Sequence, residues 1–520
     1  MTDDWWRGAV IYQIYPRSFM DSNGDGVGDL RGIASKLDYV KSLGVDGIWL
    51  SPFFTSPMRD FGYDVADYRG VDPLFGTLVD FDELLAAAHA RNLKVIIDQV
   101  WSHSSSDHPW FQASRLDAVN DKSGWYVWAD PTPAGGPPNN WQAWFGGPAW
   151  TWEPRRRQYY LHNFLPTQPD LNFRNPAVRA AMLDIARFWL DRGVDGFRLD
   201  VANYYVHDAQ LRDNPPSGKI NPALPRDMQE HRFNSNQPET LDFLTELRAV
   251  MDGFGARMTV GELAPGGHDV MADYTRGSDR LHTAYAFDFL GPWPGVERLA
   301  DILSRWGEGS DDGWPSWAFS NHDVTRVATR WGDAIGATPE QAAELFMALL
   351  LSLRGTIFIY QGEELGLPEA DVPFEMLQDP WGIAGWPATK GRDGCRTPMP
   401  WDSSPAAGFS IAEPWLPIDV AHRDLSVALS PPTLTSARML IALRNASPAL
   451  AVGSFTVVHA EGDVLAFERS ADGERILCAC NLSSGPNSVT ASGKMLWSSE
   501  ATLADGRIEL APYGAAWVAL

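Results

Sequence analysis

GFRLDV, residues 196–201, is the stretch on which the fold turns: an apolar, strand-like run that delivers Arg198 and Asp200 at its end. Working outward, DQVWSH (98–103), GEL (261–263) and SNHD (320–323) repeat the arrangement, each placing polar residues where an apolar run stops. Strands that end in acids, Arg and His, with helix-like stretches between them, gather those side chains on one face of a barrel. Asp98, His103, Arg198, Asp200, Glu262, His322 and Asp323 are therefore expected to converge in one pocket.

Eight apolar strand candidates recur, at residues 10–16, 47–52, 94–100, 196–201, 258–263, 284–289, 317–323 and 356–362. Between them lie helical patterns: Leu30, Ile33, Leu37, Val40 and Leu43 ahead of Gly44, a second from Asp82 to Arg91, and a third from Pro176 to Arg192. Eight buried strands alternating with helices predict an α/β fold, a (β/α)8 TIM barrel. The third interval departs from the rhythm and becomes rich in Trp, Pro, Gly and Asn, so residues 104–172 are read as a small domain inserted after strand three. A second polar, Pro-rich excursion, 207–236, is expected to cover the same face. Beyond about residue 450 the pattern changes to alternating segments such as VLAFERS and RILCACNL, which predicts a C-terminal antiparallel β-sandwich over 451–520. The barrel then comprises 1–103 and 173–450.

Composition bounds the function. With 520 residues the chain exceeds one ordinary core. A net charge of -24 argues against nucleic acid and other polyanions, which bind through an excess of Lys and Arg, and fits a neutral substrate. No basic segment followed by an apolar stretch opens the chain, and the longest apolar region, 345–360, is interrupted by Ser352, Arg354 and Gly355, so neither a leader nor a membrane span is expected. Three Cys form no disulfide framework, which points to a reducing cytoplasm. The expected assembly is a monomer or homodimer.

Asp200 and Glu262 are the leading pair. Breaking an acetal takes an acid to protonate the leaving oxygen and a second carboxylate to stabilise or capture the cationic carbon, and strand-end acids on adjacent strands supply both. The competing reading is that such acids cap helices or pair with Arg. Arg198, two residues before Asp200, shares its face of the strand and would hold that carboxylate ionised. His103 and His322 suit hydrogen bonding to sugar hydroxyls. Zinc is the rival explanation for a His and carboxylate cluster, but no HExxH-type spacing occurs. In DSNGDGVGD (21–29), Asp21, Asn23, Asp25, the Val27 carbonyl and Asp29 occupy positions one, three, five, seven and nine of an EF-hand-like loop, while Gly32 stands where its bidentate Glu would be. A structural Ca²⁺ or Mg²⁺ is expected there, with no cofactor for catalysis. The tryptophans at 125, 128, 141, 144, 150 and 152 are assigned mainly to packing of the inserted domain.

Taken together, DQVWSH, GFRLDV, GEL and SNHD resemble the four conserved regions of glycoside hydrolase family 13, the α-amylase family, and QPDLN (168–172), GVDGIWLSP (44–52) and GTIFIYQGEELG (355–366) resemble further ones. YQIYPRSF, FGYDVADY (61–68) and CRTPMPW (395–401) look most like the exo-acting α-glucosidases and oligo-1,6-glucosidases. The resemblance implies a retaining exo-α-glucosidase that releases glucose from short α-glucosides of the maltose, isomaltose or sucrose type, with transglucosylation. It assigns Asp200 as nucleophile, Glu262 as acid/base and Asp323 as transition-state stabiliser, with the first two carboxyls about 5 to 5.5 Å apart. It implies that Asp98, His103, Arg198 and His322 hold sugar and nucleophile, that Tyr63 stacks beneath the glucose, and that Phe145 and Phe164 line the pocket. Asp64 and Arg396 would grip the non-reducing end. Val201, directly after the nucleophile, is associated in that family with α-1,6 cleavage, whereas HDAQLRDNPP (207–216) resembles enzymes preferring α-1,4 substrates. A sucrose or trehalose isomerase or a glucosyltransferase on the same site is the alternative; a non-catalytic partner subunit is disfavoured because all three acids are present.

Overall fold

A computed structural model describes residues 4–220, 222, 224–264, 266–307 and 313–520, with Ala286 described by its backbone alone. Eight parallel strands form its centre: β1 Val10–Ile14, β2 Gly47–Leu50, β3 Lys94–Gln99, β4 Gly196–Leu199, β5 Met258–Leu263, β6 Thr283–Ala286, β7 Ser316–Ala318 and β8 Thr356–Tyr360. Their order in the sheet is β6-β5-β4-β3-β2-β1-β8-β7. A parallel bridge between Ala284 and Pro315, just ahead of β7, joins the two ends into a barrel.

Period-two alternation along the strands explains what lies inside. Val10, Tyr12, Val95, Ile97, Phe197 and Leu199 face outward and pack with the helices. Ile11, Trp49, Ile96, Met258, Val260 and Phe358 fill the interior as an apolar layer. Two residues further along, the inward positions become Gln13, Asp98 and Glu262, with Arg198 beside them. Register sets these neighbours: Asp98 stands opposite Arg198, and Glu262 opposite Tyr285. Gly196 lets β4 and β5 close up, since a Cβ there would lie 2.7 Å from the Met258 carbonyl oxygen.

The helices differ from expectation in detail. The pattern over 30–43 forms two short helices, Leu30–Ser35 and Leu37–Ser42, which meet at Lys36. The second starts earlier, as Leu78–Ala90, because Thr77 and Asp80 make a reciprocal capping box. The third runs Pro176–Asp191 with Asn175 as its cap. None is long and apolar enough to cross a membrane among the described residues.

Between β3 and β4, a three-stranded antiparallel sheet (Trp128–Ala129, Gln158–Leu161 and Trp150–Glu153) packs over Trp141, Trp150 and Leu161. Bridges from His103 to Asp170 and Tyr126 to Leu171 tie its base to the end of β3. The segment 207–236 leans on it: Trp141 Nε1 donates to the Arg212 carbonyl, and Asn140 and Asn214 exchange hydrogen bonds. At the C-terminus six antiparallel strands between Ser454 and Ala519 form one connected sheet. One face, with Phe455, Phe467 and Trp517, merges with the core around the barrel; Val464, Ala466, Val489 and Ile508 form a second core on the other.

Candidate active site

A cavity of about 250 Å³ opens at the C-terminal ends of the barrel strands. Asp200, Glu262 and Asp323 reach its surface together with Tyr63, His103 and Val201. Asp98, Arg198 and His322 are fully buried and form the layer beneath.

Arg198 organises that layer. Its Nη1 donates to Asp98 Oδ1 (2.9 Å) and Asp200 Oδ1 (2.6 Å), its Nη2 lies 2.6 Å from Glu262 Oε2, and Nε and Nη2 donate to the Tyr285 hydroxyl. One guanidinium thus faces three carboxyls, and one positive charge cannot keep three buried anions ionised. Burial raises Asp98 to about 6 and Asp200 to about 7, against the pull of Arg198. Glu262 is lifted furthest, to about 8: burial outweighs the Arg198 contact, and the anions Asp200 and Asp323 add to it. Of the three, Glu262 is therefore the carboxyl whose surroundings most favour the protonated form.

Asp323 behaves oppositely. Burial works against its charge, yet His322, Arg396 and Arg392 together hold its carboxyl well below the usual range. Arg396 Nη2 lies 2.8 Å and Arg392 Nη1 3.3 Å from Asp323 Oδ1. His322 accepts from Gln13 Nε2 at Nδ1 (2.8 Å), which leaves its proton on Nε2, facing Asp323 Oδ2 at 3.1 Å and the Tyr63 hydroxyl at 2.5 Å. Burial pushes His322 to about 3 and His103 to about 4, so both are neutral donors. Tyr63 stacks flat on His322 and donates to Asp98 Oδ2 (3.0 Å).

Val201 is held in the left-handed region, φ 35 and ψ 52. A β-branched residue is strained there, by about 1–3 kcal/mol. That conformation turns the chain directly after Asp200, and the Val201 N–H donates to Glu262 Oε2 at 3.1 Å.

Two expected residues are elsewhere. Asp64 is fully buried away from the cavity, because its carboxyl turns back into its own loop to accept from Ser56 Oγ and the amides of Arg59 and Asp60; burial raises it to about 6. Arg396 is also fully buried, behind Asp323, with Nε donating to the His322 carbonyl. The residues that reach the cavity from those two segments are Asp60 and Arg392, which pair at 2.7 Å; Gln168 Nε2 donates to Asp60 Oδ2. Phe145 and Phe164 line the wall as expected, and so does Trp144, whose place in a Trp-rich loop suggests packing alone. Leu224 and Trp381 complete that side. These positions lie in loops or, for Trp381, on a short helix, and carry no periodicity; QPDLN, which contains Gln168, is the one sequence motif that flags any of them.

In the loop 21–29, Asp21 Oδ1, Asn23 Oδ1 and Asp25 Oδ1 each accept the amide two residues on, and Asp29 accepts from Ser22 and Gly32. Among the described residues, no three His, Cys, Asp or Glu side chains are grouped to hold a metal ion. Three carboxylates, the Asn23 amide oxygen and the Val27 carbonyl are nevertheless hard oxygen donors of the kind calcium takes.

Comparison with known proteins agrees with this architecture. Residues 13–453 match the alpha amylase catalytic domain, and residues 455–517 match the maltogenic amylase C-terminal domain. A relative from Rhizobium meliloti described as a probable alpha-glucosidase is 54% identical, covering 92% of this chain and 90% of its own. An oligo-1,6-glucosidase from Heyndrickxia coagulans is 39% identical, with 92% of each chain covered. Among solved structures, an alpha-glucosyl transfer enzyme, XgtA, superposes with a TM-score of 0.94 at 51% identity, over 99% of both chains.

Proposed function

Since the chain belongs to the α-amylase family, glycoside hydrolase family 13, we propose that it is a retaining exo-acting α-glucosidase on short α-glucosides. The observation that carries this reading is the convergence of Asp200, Glu262 and Asp323 on one cavity around Arg198, with Glu262 pushed up and Asp323 held down by their surroundings. Acids whose environments push them apart are the signature of an assigned acid and an assigned anion. Glu262 protonates the glycosidic oxygen while Asp200, gripped by Arg198, attacks the anomeric carbon; Asp323 faces the cationic charge that develops on the ring. The β-linked glucosyl-enzyme is then released by water, with Glu262 taking the proton. Arg198 holds Asp200 on one terminal nitrogen and Glu262 on the other, which sets the two carboxyls side by side at the cavity; retention predicts them about 5 to 5.5 Å apart. Asp60 and Arg392 take the place expected for Asp64 and Arg396, gripping the non-reducing end and closing the pocket behind one glucose.

Asp200→Asn should reduce hydrolysis of maltose, isomaltose, sucrose and trehalose by about 10³-fold or more. Substantial turnover in that variant would remove Asp200 from the role, and the wild-type panel identifies the linkage. Glucosyl transfer is the second reading. The wall of Trp144, Phe164, Leu224 and Trp381 offers an acceptor a largely apolar surface, and the ratio of transfer product to free glucose measures how far it competes with water.

For the loop 21–29 we propose structural Ca²⁺, with no part in the chemistry. Chelation should then lower the melting temperature and added Ca²⁺ restore it; an unchanged melting curve would retire the site.

A further inference from the structure

Arg392 is the cation at the closed end of the cavity, and what aims it is a residue that never reaches the cavity. Asp379 is fully buried and stands behind Arg392. Its carboxyl takes three bonds from that one residue: the Arg392 amide at 2.7 Å and Nε at 3.0 Å on Oδ2, and Nη2 at 2.8 Å on Oδ1. Such a bidentate grip fixes the plane of a guanidinium as well as its place. So oriented, Arg392 sends Nη2 to Asp60 and Nη1 toward Asp323, and lies 5.3 Å over the Phe145 ring.

The same carboxyl has a second task. Asp379 is the N-cap of the helix Pro380–Gly385, and Oδ1 accepts the Trp381 amide at 3.2 Å. Trp381 is a wall residue of the cavity beside Phe145, with ring centroids 6.5 Å apart. One buried side chain therefore sets both the cation Arg392 and an aromatic ring of the cavity wall. Its own placement is fixed from behind, because the Asp379 amide donates to Asp393 Oδ2 at 2.9 Å.

We propose that Asp379 is a positioning residue of the active site, one that couples the Asp60–Arg392 grip on the donor glucose to the Trp381 wall of the acceptor side. This rests on the glucosidase reading above. A plain buried ion pair would contribute stability only, whereas this one governs how tightly the first glucose is held and how well a second sugar competes with water.

The test uses the full chain with Asp379→Asn and Asp379→Ser. Both side chains still accept an N-cap hydrogen bond, so the helix and Trp381 stay in place, but neither can grip a guanidinium with a carboxylate. The expected result is a KM for α-glucosyl fluoride raised about tenfold or more, with a smaller change in kcat, because that donor has no sugar leaving group and reports the glucose site alone. Affinity for glucose, read by calorimetry without turnover, should fall by a similar factor. Asp379→Ala, which loses the cap as well, should in addition lower the ratio of transfer to hydrolysis on maltose. Variants that only melt earlier, with KM, glucose affinity and transfer ratio unaltered, would show Asp379 to be structural and overturn the proposal. Wild-type protein that binds glucose but turns over none of the donors would instead overturn the glucosidase reading, and the calorimetric comparison would still decide the role of Asp379.

Discussion

Glu262 and Asp200 share Arg198 but must enter the reaction in opposite states, one protonated and the other ionised. Activity in kcat/KM should therefore rise with pH as Asp200 loses its proton near 7 and fall as Glu262 loses its own near 8, a narrow bell whose limbs belong to the coupled set of carboxyls. Glu262→Gln removes the titrating acid. Turnover of maltose should drop by roughly 10² to 10⁴, while α-glucosyl fluoride, which needs no proton on its leaving group, should still be opened, now without an alkaline limb. A limb that persists in the variant would mean that some other group titrates. At this scale the three acids are legible in the sequence because Asp200 and Glu262 stand at the ends of recognisable strands and Asp323 follows one, although β7 stops at Ala318 and does not run on to 323 as expected. Asp60 and Asp64 are not distinguishable there: they stand four apart in one irregular loop, and which of them faces the cavity depends on where that loop's amides point. Arg392 and Arg396 pose the same problem on a short 3-10 turn, where one lies against Asp60 and the other behind Asp323.

The barrel strands carry both halves of the design in their period of two. Ile11 is followed by Gln13, Ile96 by Asp98 and Val260 by Glu262, so each strand supplies the interior apolar layer and then the polar floor of the site. That period is visible in the amino-acid order itself, which is why strand ends read as a site from sequence, whereas Trp144 in a loop and Trp381 on a helix of six residues carry no period to read. The turn after β8 extends the polar layer into the core with Glu363, whose Oε2 accepts the Tyr360 amide at 3.0 Å and which burial raises to about 8. A carboxyl that holds its proton more tightly folded than unfolded, where its pKa is about 4.3, contributes stability that is complete below that pH and lost as pH climbs through 8. Glu363→Gln should thus leave the melting temperature nearly unchanged near pH 4.5 and raise it increasingly from there to pH 8, by up to about 1 kcal/mol of stability per pH unit, with the gain level from pH 8 to 9, where folded and unfolded states are both ionised. A loss at pH 9 would show that the ionised form is the one the turn is built for.

At the scale of the whole molecule, the terminal sheet is legible as alternating strands, but nothing in that alternation foretells how it is fastened to the barrel. Two fully buried arginines do this at the end of the barrel away from the cavity. Arg444, on the helix Pro432–Ala446, donates to the carbonyls of Gly8, Leu351, Leu353 and Gly355; Arg469, on the strand Val464–Ala471, donates to those of Ser352, Gly453 and Ser454. Between them they take the Leu351 and Ser352 carbonyls at the C-terminal end of the helix Pro339–Ser352, where the helix dipole favours a cation, and burial lowers the pKa of both. Arg469→Met fills similar space and leaves three buried carbonyls without a donor, a loss of roughly 3 kcal/mol, or about 3 °C in melting temperature for a chain of this size. Because the sheet and the barrel share one apolar core, calorimetry should show a single transition shifted downward, and kcat/KM of the protein that remains folded should match wild type. Two separated transitions would mean that the sheet melts on its own and that the shared core does not make it part of the barrel's cooperative unit.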